Sequence, residues 1–351
     1  MRNNNYLASE LLKWYDKNAR VLPWRTPPDK SKAGCRPDPY WVWLSEIMLQ
    51  QTTVTVVKPY FKFFVIKWPT VMHLAAASDE EIMEAWAGLG YYRRARNLIS
   101  CAKVVAAKYN GVFPDKEKLL LDLPGIGTYT SAAIKSIGFN KKATVVDGNV
   151  SRVICRLFAI STPISLSKKK IKCFAHSVLP GDRFGDYAQA LMDLGSQICT
   201  PGNPNCKKCP IKEFCKSDNL GITQKIPKKI PKKILPSRYG YAFIALTTTN
   251  NIILERRPSN GLLGGTLCFP SSEWTESDNI IFNPPFDAEW DILNKAVTHT
   301  FSHFKLTLKI AHCITKYQPS QQVIVPMKGF NRTALPSLMR KVFDIWSNQS
   351  N

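Results

Sequence analysis

The run LDLPGIGTYTSAAIKSIG, Leu121–Gly138, decides the fold of the first half of the chain. Pro124 has no N–H to give a helix interior, and it biases the residue before it away from helical geometry, so one helix ends there. Gly125 and Gly127 permit a tight turn, and Thr128 can start the next helix. Helix, L-P-G-x-G turn, helix is a helix–hairpin–helix module, covering about residues 119–137. Its glycines let backbone N–H groups approach a phosphate, aided by the following helix N-terminus. Such a hairpin grips a nucleic-acid backbone without reading bases. An ordinary αα-turn shares the local pattern, so the charge of the chain bears on the choice.

That charge is large. Lys and Arg number 48 against 26 Asp and Glu, a formal net charge of +22 over 351 residues. A surplus of this size points to a polyanionic partner, although a merely soluble basic protein shares the property. Hydrophobic residues make up 44%, which excludes a disordered chain, and the length suits about two domains. The start, MRNNNYLASELLKW, lacks the apolar core of a secretory signal, and no apolar run approaches the ~20 residues of a membrane span. A cytoplasmic location is expected, where thiols stay reduced.

Outward from the hairpin, LASELLKWYDKN, YWVWLSEIMLQQ, DEEIMEAWAGLG, ARNLISCAKVVAAKY and YAQALMDLGSQI all repeat apolar residues at helical spacing. ITQKIPKKIPKKILPSR, residues 222–238, then spaces Pro227, Pro231 and Pro236 among five lysines, the composition of an extended connector. Beyond it the period changes to two in YAFIAL, NIILERR and FKLTLKI, and LPSLMRKVFDIW closes with helical spacing. The expected architecture is mainly α. A helical domain spans 1–216, a basic linker 217–238, and a smaller α+β domain 239–351.

CTPGNPNCKKCPIKEFC gathers Cys199, Cys206, Cys209 and Cys215 at the spacing C-x6-C-x2-C-x5-C. Pro201, Gly202, Pro204 and Pro210 break any regular helix, letting the chain wrap until the sulfurs converge. Four thiolates hold either a structural zinc or a [4Fe–4S] cluster, and spacing alone does not choose between them.

Two carboxylates stand out. Glu46 lies in WVWLSEIMLQQTT, a stretch so apolar that an acid there is costly unless it has a task. Asp147, in ATVVDGNVSRV before Gly148, suits a helix N-cap. Taken singly, each has an ordinary structural explanation. As a pair in contrasting surroundings, they are what cleavage of a glycosidic bond requires: one acid for the leaving group, one carboxylate for the oxocarbenium-like centre.

WLSEIMLQQT, WAGLGYYRRARNL, LPGIGTYTSAAI, VVDGNVSRV, LMDLGSQICT and the cysteine pattern together closely resemble adenine DNA glycosylases of the MutY type. The resemblance runs from LLKWYDKNARVLPWR through THTFSHFKL, nearly the whole chain. It implies that the four cysteines ligate a structural [4Fe–4S] cluster. It also implies that the substrate is double-stranded DNA carrying adenine opposite 8-oxoguanine or guanine, the adenine being flipped out and hydrolysed from its sugar. By the same resemblance Glu46 protonates N7 of adenine and later acts as base toward water, and Asp147 supports the cationic sugar. Tyr129 and Asn149 line the pocket, Gln51 and Tyr91 wedge into the duplex, and Arg25 lies near the active site. Gly125 and Gly127 belong to the DNA-gripping hairpin. A monomer is expected, in the bacterial cytoplasm and on nucleoid DNA when at work.

The related endonuclease III-like enzymes place a lysine in the hairpin, GxGxKT, to form a Schiff base with the sugar. Here Gly125-Ile126-Gly127-Thr128-Tyr129-Thr130 has none, which points to a monofunctional glycosylase, with Lys135 and Lys142 nearby in sequence. A bifunctional glycosylase–lyase and a non-catalytic, zinc-holding DNA-binding protein are the competing readings. The second domain resembles a Nudix fold through YGYAFIAL and NIILERRPSNGLLGGTLCFP, yet residues 239–351 lack the glutamate-rich run of Nudix hydrolases. The resemblance gives this domain the recognition of 8-oxoguanine, with Phe301, Ser302 and His303 of THTFSHFKL as its contacts. Two stretches depart from the family: TPPDKSKAGCRPDPYW, expected as a long surface loop, and SSEWTESDNIIFNPPFDAEW, which matches little in it.

Overall fold

The computed structural model describes residues 2–228, 234–258, 261–317 and 322–349. Residues 229–233 of the expected linker therefore lie outside the described residues. By contacts the chain forms two compact units, Met1–Ala77 with Asn97–Pro231, and Ser78–Arg96 with Lys232–Asn351. These bounds differ from the expected ones on two counts. Segment 78–96, read as part of the helical domain, groups with the second unit, where Arg96 donates to the Gly264 carbonyl at 2.5 Å. Residues up to Ile226, read as linker, instead pack on the first unit, because Ile222 and Ile226 join its core.

In the first unit, local chemistry sets the helix starts. Pro39–Leu49 begins with Asp38 accepting from the Tyr40 N–H at 2.8 Å, with Pro39 in the first turn. Gly148–Leu157 begins with Asp147 accepting from the Val150 N–H at 2.6 Å, the cap expected from the sequence. The hairpin forms between Glu117–Leu121 and Thr128–Ala133, with Gly125 at φ +74. A β-carbon on Gly125 would stand 2.6 Å from that of Asn97, so only glycine fits both the turn and the approach. The second hairpin helix is shorter than its apolar pattern suggests, because it widens into a π-turn at Ile134–Gly138.

Phe184–Gln197 packs on Arg2–Asn18, on Gly148–Leu157 and on the π-turn. Two glycines allow this closeness. A β-carbon on Gly185 would meet the Ser136 carbonyl oxygen at 2.8 Å, and one on Gly195 would meet the Asn149 side chain at 2.7 Å. The core combines Leu7, Leu11 and Tyr15 with Val150, Ile154, Tyr187, Leu191 and Leu194. Buried apolar surface of this extent is the main stabilising contribution.

Among the described residues the second unit carries a seven-stranded sheet: β1 Ser237–Thr247, β2 Asn251–Arg256, β3 Leu267–Cys268, β4 Asp291–Ile292, β5 Val297–Thr300, β6 Lys305–Thr315 and β7 Val323–Pro326. The main path runs β3-β2-β1-β6-β4, with β5 pairing β6 and β7 pairing β2. The long strands β1 and β6 lie parallel, Ser237 opposite Lys305 through Thr247 opposite Thr315. One face, with Ala242, Ile244, Leu306, Leu308 and Ile310, is covered by Leu338, Met339, Val342 and Trp346 of helix Ser337–Ser347. The other, with Tyr241, Phe243 and Ala245, is covered by Ile280, Phe286 and Trp290. The stretch 271–290 is thus an irregular but aromatic lid over a buried sheet face.

Candidate active site

Six of the residues singled out in the sequence line one cavity of about 500 Å³ in the first unit: Arg25, Glu46, Gln51, Tyr129, Asp147 and Asn149. The size is that of a small-molecule site. Glu46 projects from the apolar helix Pro39–Leu49 and is 8% exposed. Its Oε2 accepts a hydrogen bond from the Tyr129 hydroxyl at 2.7 Å. Asp147 reaches the cavity from the start of helix Gly148–Leu157, where its Oδ1 accepts from Val150 N–H and its Oδ2 from Asn149 Nδ2 at 3.1 Å.

These surroundings separate the two acids. Burial pushes the Glu46 carboxyl up to about 7; the charge of Asp147 adds to this, while the Tyr129 hydrogen bond and Arg25 oppose it. Burial also raises Asp147, but backbone and side-chain N–H donors at the helix start hold it back. Glu46 can therefore carry a proton near neutral pH beside a carboxylate that ionises more readily. Burial and the neighbouring carboxylates raise the Tyr129 phenol well above its usual range, so it remains a donor.

Arg25 is clamped. Its Nη1 donates to Asp193 Oδ2 at 2.7 Å, and Asp193 is fully buried. Burial alone would weaken the charge of Arg25, but the Asp193 partner outweighs it. Arg20, Gln189, Met192 and Ser196 complete the wall and were missed in the sequence. Gln189, Met192 and Ser196 lie on Phe184–Gln197 at helical spacing, a signal that also describes a core face. Lys135 pairs with Glu117 at 3.6 Å, and neither it nor Lys142 lines the cavity.

Behind Asp147 lies a polar chain. Asn149 accepts from Arg152 Nη2 at 2.9 Å, and Arg152 Nε donates to the Cys199 carbonyl at 2.7 Å. Arg156, 1% exposed, donates to the carbonyls of Thr200, Pro201, Thr223 and Ile226 and to Cys199 Sγ at 3.3 Å. Cys199, Cys206, Cys209 and Cys215 line a common pocket with Arg156. Among the described residues no group of three or more His, Cys, Asp or Glu converges tightly on one metal ion. The four thiols line a space instead, and the Arg156 N–H donated to Cys199 Sγ is of the kind that fits an iron–sulfur cluster. Burial pushes the Cys209 thiol up to about 12, so a metal held there would have to supply the charge that ionises it.

The remaining predicted residues are not at this cavity. Gly125 and Gly127 form the hairpin, Gly127 with an extended backbone. Tyr91, 52% exposed at φ +48, lies in the second unit. There Arg94 braces its loop, donating to the Leu89 and Gly90 carbonyls and lying over the Tyr91 ring. Gln51 also has positive φ, +56, a strained conformation that needs a supporting site. Ser302 and His303 are exposed between β5 and β6, their side chains 3.1 Å apart. Phe301 is half-buried, stacked on Trp274 and against Phe304 and His299.

The family model of the HhH-GPD superfamily of base excision DNA repair proteins matches residues 44–175, and that of the NUDIX domain matches 241–344. The human adenine DNA glycosylase is 33% identical over 97% of this chain and 73% of its own length. That of Buchnera aphidicola subsp. Baizongia pistaciae is 36% identical over 92% of this chain and 96% of its own.

The chain belongs to the adenine DNA glycosylases.

As a member it is a monofunctional N-glycosylase of base excision repair, hydrolysing the bond between adenine and deoxyribose. Family membership thereby overturns the reading as a non-catalytic binding protein. A thermostable thymine-DNA glycosylase is also similar, with 32% identity and a TM-score of 0.54 over 62% of this chain and 98% of that one. An endonuclease III–DNA complex, 22% identical with a TM-score of 0.51 over 63% of this chain and 97% of that one, shares the helix–hairpin–helix fold. No helix among the described residues is long and apolar enough to cross a membrane.

Proposed function

We propose that this glycosylase removes adenine paired with 8-oxoguanine or guanine in duplex DNA, with Glu46 as the proton donor and Asp147 as the stabilising carboxylate. One observation carries the reading: the two acids line one cavity, Glu46 buried against Tyr129 and Asp147 held by N–H donors. The base must leave the stack to enter it. The Glu46 carboxyl gives its proton to N7, and the C1′–N9 bond breaks with its electron pair going to the base. Asp147 opposes the positive charge developing at C1′. Water then adds to C1′, its proton passing to the Glu46 carboxylate, which restores the starting state. With no lysine among the described residues that line the cavity, the sugar–phosphate strand stays intact on this reading.

The hairpin of Gly125 and Gly127 would hold the phosphate backbone, with Gln51 and Tyr91 supporting the distorted stack. Ser302, His303 and Phe301 would contact the 8-oxoguanine. Cys199, Cys206, Cys209 and Cys215 would hold a [4Fe–4S] cluster, whose contribution is to fold and fix their loop. On this reading the enzyme works as a monomer in the cytoplasm, and the net charge of +22 suits its DNA substrate. Incubation with duplexes carrying A opposite 8-oxoguanine, A opposite guanine, and thymine glycol tests it. Adenine should be released from the first two, with strand breaks only after alkali. Breaks without alkali, or release from thymine glycol alone, would overturn it.

A further inference from the structure

A buried cation stands beside the proton-donating acid, and the fold spends a second buried acid on it. The Arg25 side chain is 9% exposed and that of Asp193 0%. Asp193 Oδ2 accepts from Arg25 Nη1 at 2.7 Å and from the Arg20 backbone N–H at 3.0 Å, while Oδ1 lies 3.6 Å from Arg20 Nε. Arg20 further donates to Ser196 Oγ at 2.9 Å. Arg20 and Arg25 come from the loop after helix Arg2–Asn18, and Asp193 from helix Phe184–Gln197, so the pair joins two elements of the cavity wall. A buried guanidinium needs a carboxylate, and without Asp193 those lining the cavity are Glu46 and Asp147.

We propose that Asp193 is a positioning residue of the reaction, which commits the Arg25 guanidinium to a buried ion pair and so keeps it from pairing with Glu46. A guanidinium paired with Glu46 would hold that carboxyl ionised and remove the proton the leaving base requires. Held by Asp193, Arg25 still presents donors to the cavity. The groups facing this arrangement are Tyr129 from the hairpin helix, Asp147 from the start of Gly148–Leu157, and Arg20. Tyr15 faces it from the first helix, its buried hydroxyl having no hydrogen-bond partner in the described structure. Arg25 already acts weakly against protonation of Glu46. Asp193 is what limits that action.

The inference rests on Glu46 as the acid, and the experiment separates the two claims. Single-turnover adenine release is followed from pH 5 to 9 for the wild type, Asp193→Asn, Arg25→Gln, the double variant and Glu46→Gln, with thermal melts and duplex affinity beside each. Asp193→Asn should move the alkaline fall in rate to lower pH by about 1–3 units, the effect of a close opposite charge on a carboxyl. Duplex affinity should not change. The double variant, with no guanidinium left at position 25, should return the fall toward the wild-type position. A folded Asp193→Asn with the wild-type profile, or a double variant as displaced as the single, overturns the inference. Should Asp193→Asn not fold, Arg25→Gln decides: its alkaline fall should move to higher pH, and one at or below the wild-type position contradicts the proposal. If Glu46→Gln releases adenine at the wild-type rate, the assignment of the acid itself has failed, whatever Asp193 does.

Discussion

The Tyr129 hydroxyl donates to Glu46 Oε2 at 2.7 Å, inside a cavity that Asp147 also lines. A donor to a buried carboxyl favours its ionised form, so this hydrogen bond pulls against the burial that protonates Glu46. Tyr129→Phe should therefore move the alkaline limb of the single-turnover profile, expected near pH 7 in the wild type, to higher pH. A limb moving to lower pH would show that the phenol plays some other part.

Stability should report the same burial. The folded-state pKa of Glu46 lies above its unfolded value of 4.5, so the folded form binds more protons. Its contribution is complete below about pH 4 and is lost as pH rises through 7. Glu46→Gln, which keeps the shape and cannot ionise, should be the more stable protein above pH 7, by on the order of 3 kcal/mol. Below pH 4 the two should converge. Urea melts at pH 4 and pH 8 measure the difference, and equal stability at both would count against a protonated Glu46.

Arg156 should matter to the cysteine loop more than to the cavity. Its guanidinium satisfies four carbonyls around the cysteine pocket. Arg156→Lys keeps the charge but not the fork of donors, and should cost about 3 kcal/mol, with partial loss of the iron that the proposed cluster would carry. Iron content and absorbance of the purified variant check this. Full iron content with an unchanged melting temperature would place the loop's support elsewhere.

Gly185→Ala should destabilise by about 1–3 kcal/mol, because a new methyl would stand 2.8 Å from the Ser136 carbonyl oxygen and 3.0 Å from Ile137 Cα, both backbone. Those atoms belong to the π-turn packed on helix Pro39–Leu49, so the rate should also drop. A neutral substitution would mean that the π-turn yields without disturbing Glu46.

Ser302→Ala should narrow the preference for 8-oxoguanine over guanine, and Trp274→Ala should do so through Phe301, which stacks on that indole at 5.9 Å between centroids. The ratio of release rates from the two duplexes is the measurement. Unchanged ratios in both variants would move the lesion reader away from this turn.

Much of this was legible in the sequence, for identifiable reasons. Glu46 shows because an acid interrupts an apolar helix, and Asp147 because Gly148 follows it where a cap is required. The hairpin shows because Pro124, Gly125 and Gly127 have few other uses together. Asp193, Arg152 and Arg156 do not show, since their partners are carbonyls and side chains brought from distant segments by tertiary packing. The π-turn hides inside an ordinary helical pattern. The lid of Ile280, Phe286 and Trp290 has no period to detect, and nothing local in Ser78–Arg96 signals its grouping with the second unit.

On the proposed mechanism Glu46 and Asp147 act together on one extruded adenine. The most direct test of this is single-turnover release of adenine from an A·8-oxoguanine duplex by Glu46→Gln and Asp147→Asn, with binding to the same duplex measured in parallel. Both variants should bind as the wild type does and lose at least about a thousandfold in rate, as removal of an acid and of an electrostatic stabiliser would each predict. Adenine release at the wild-type rate by either variant would contradict the account.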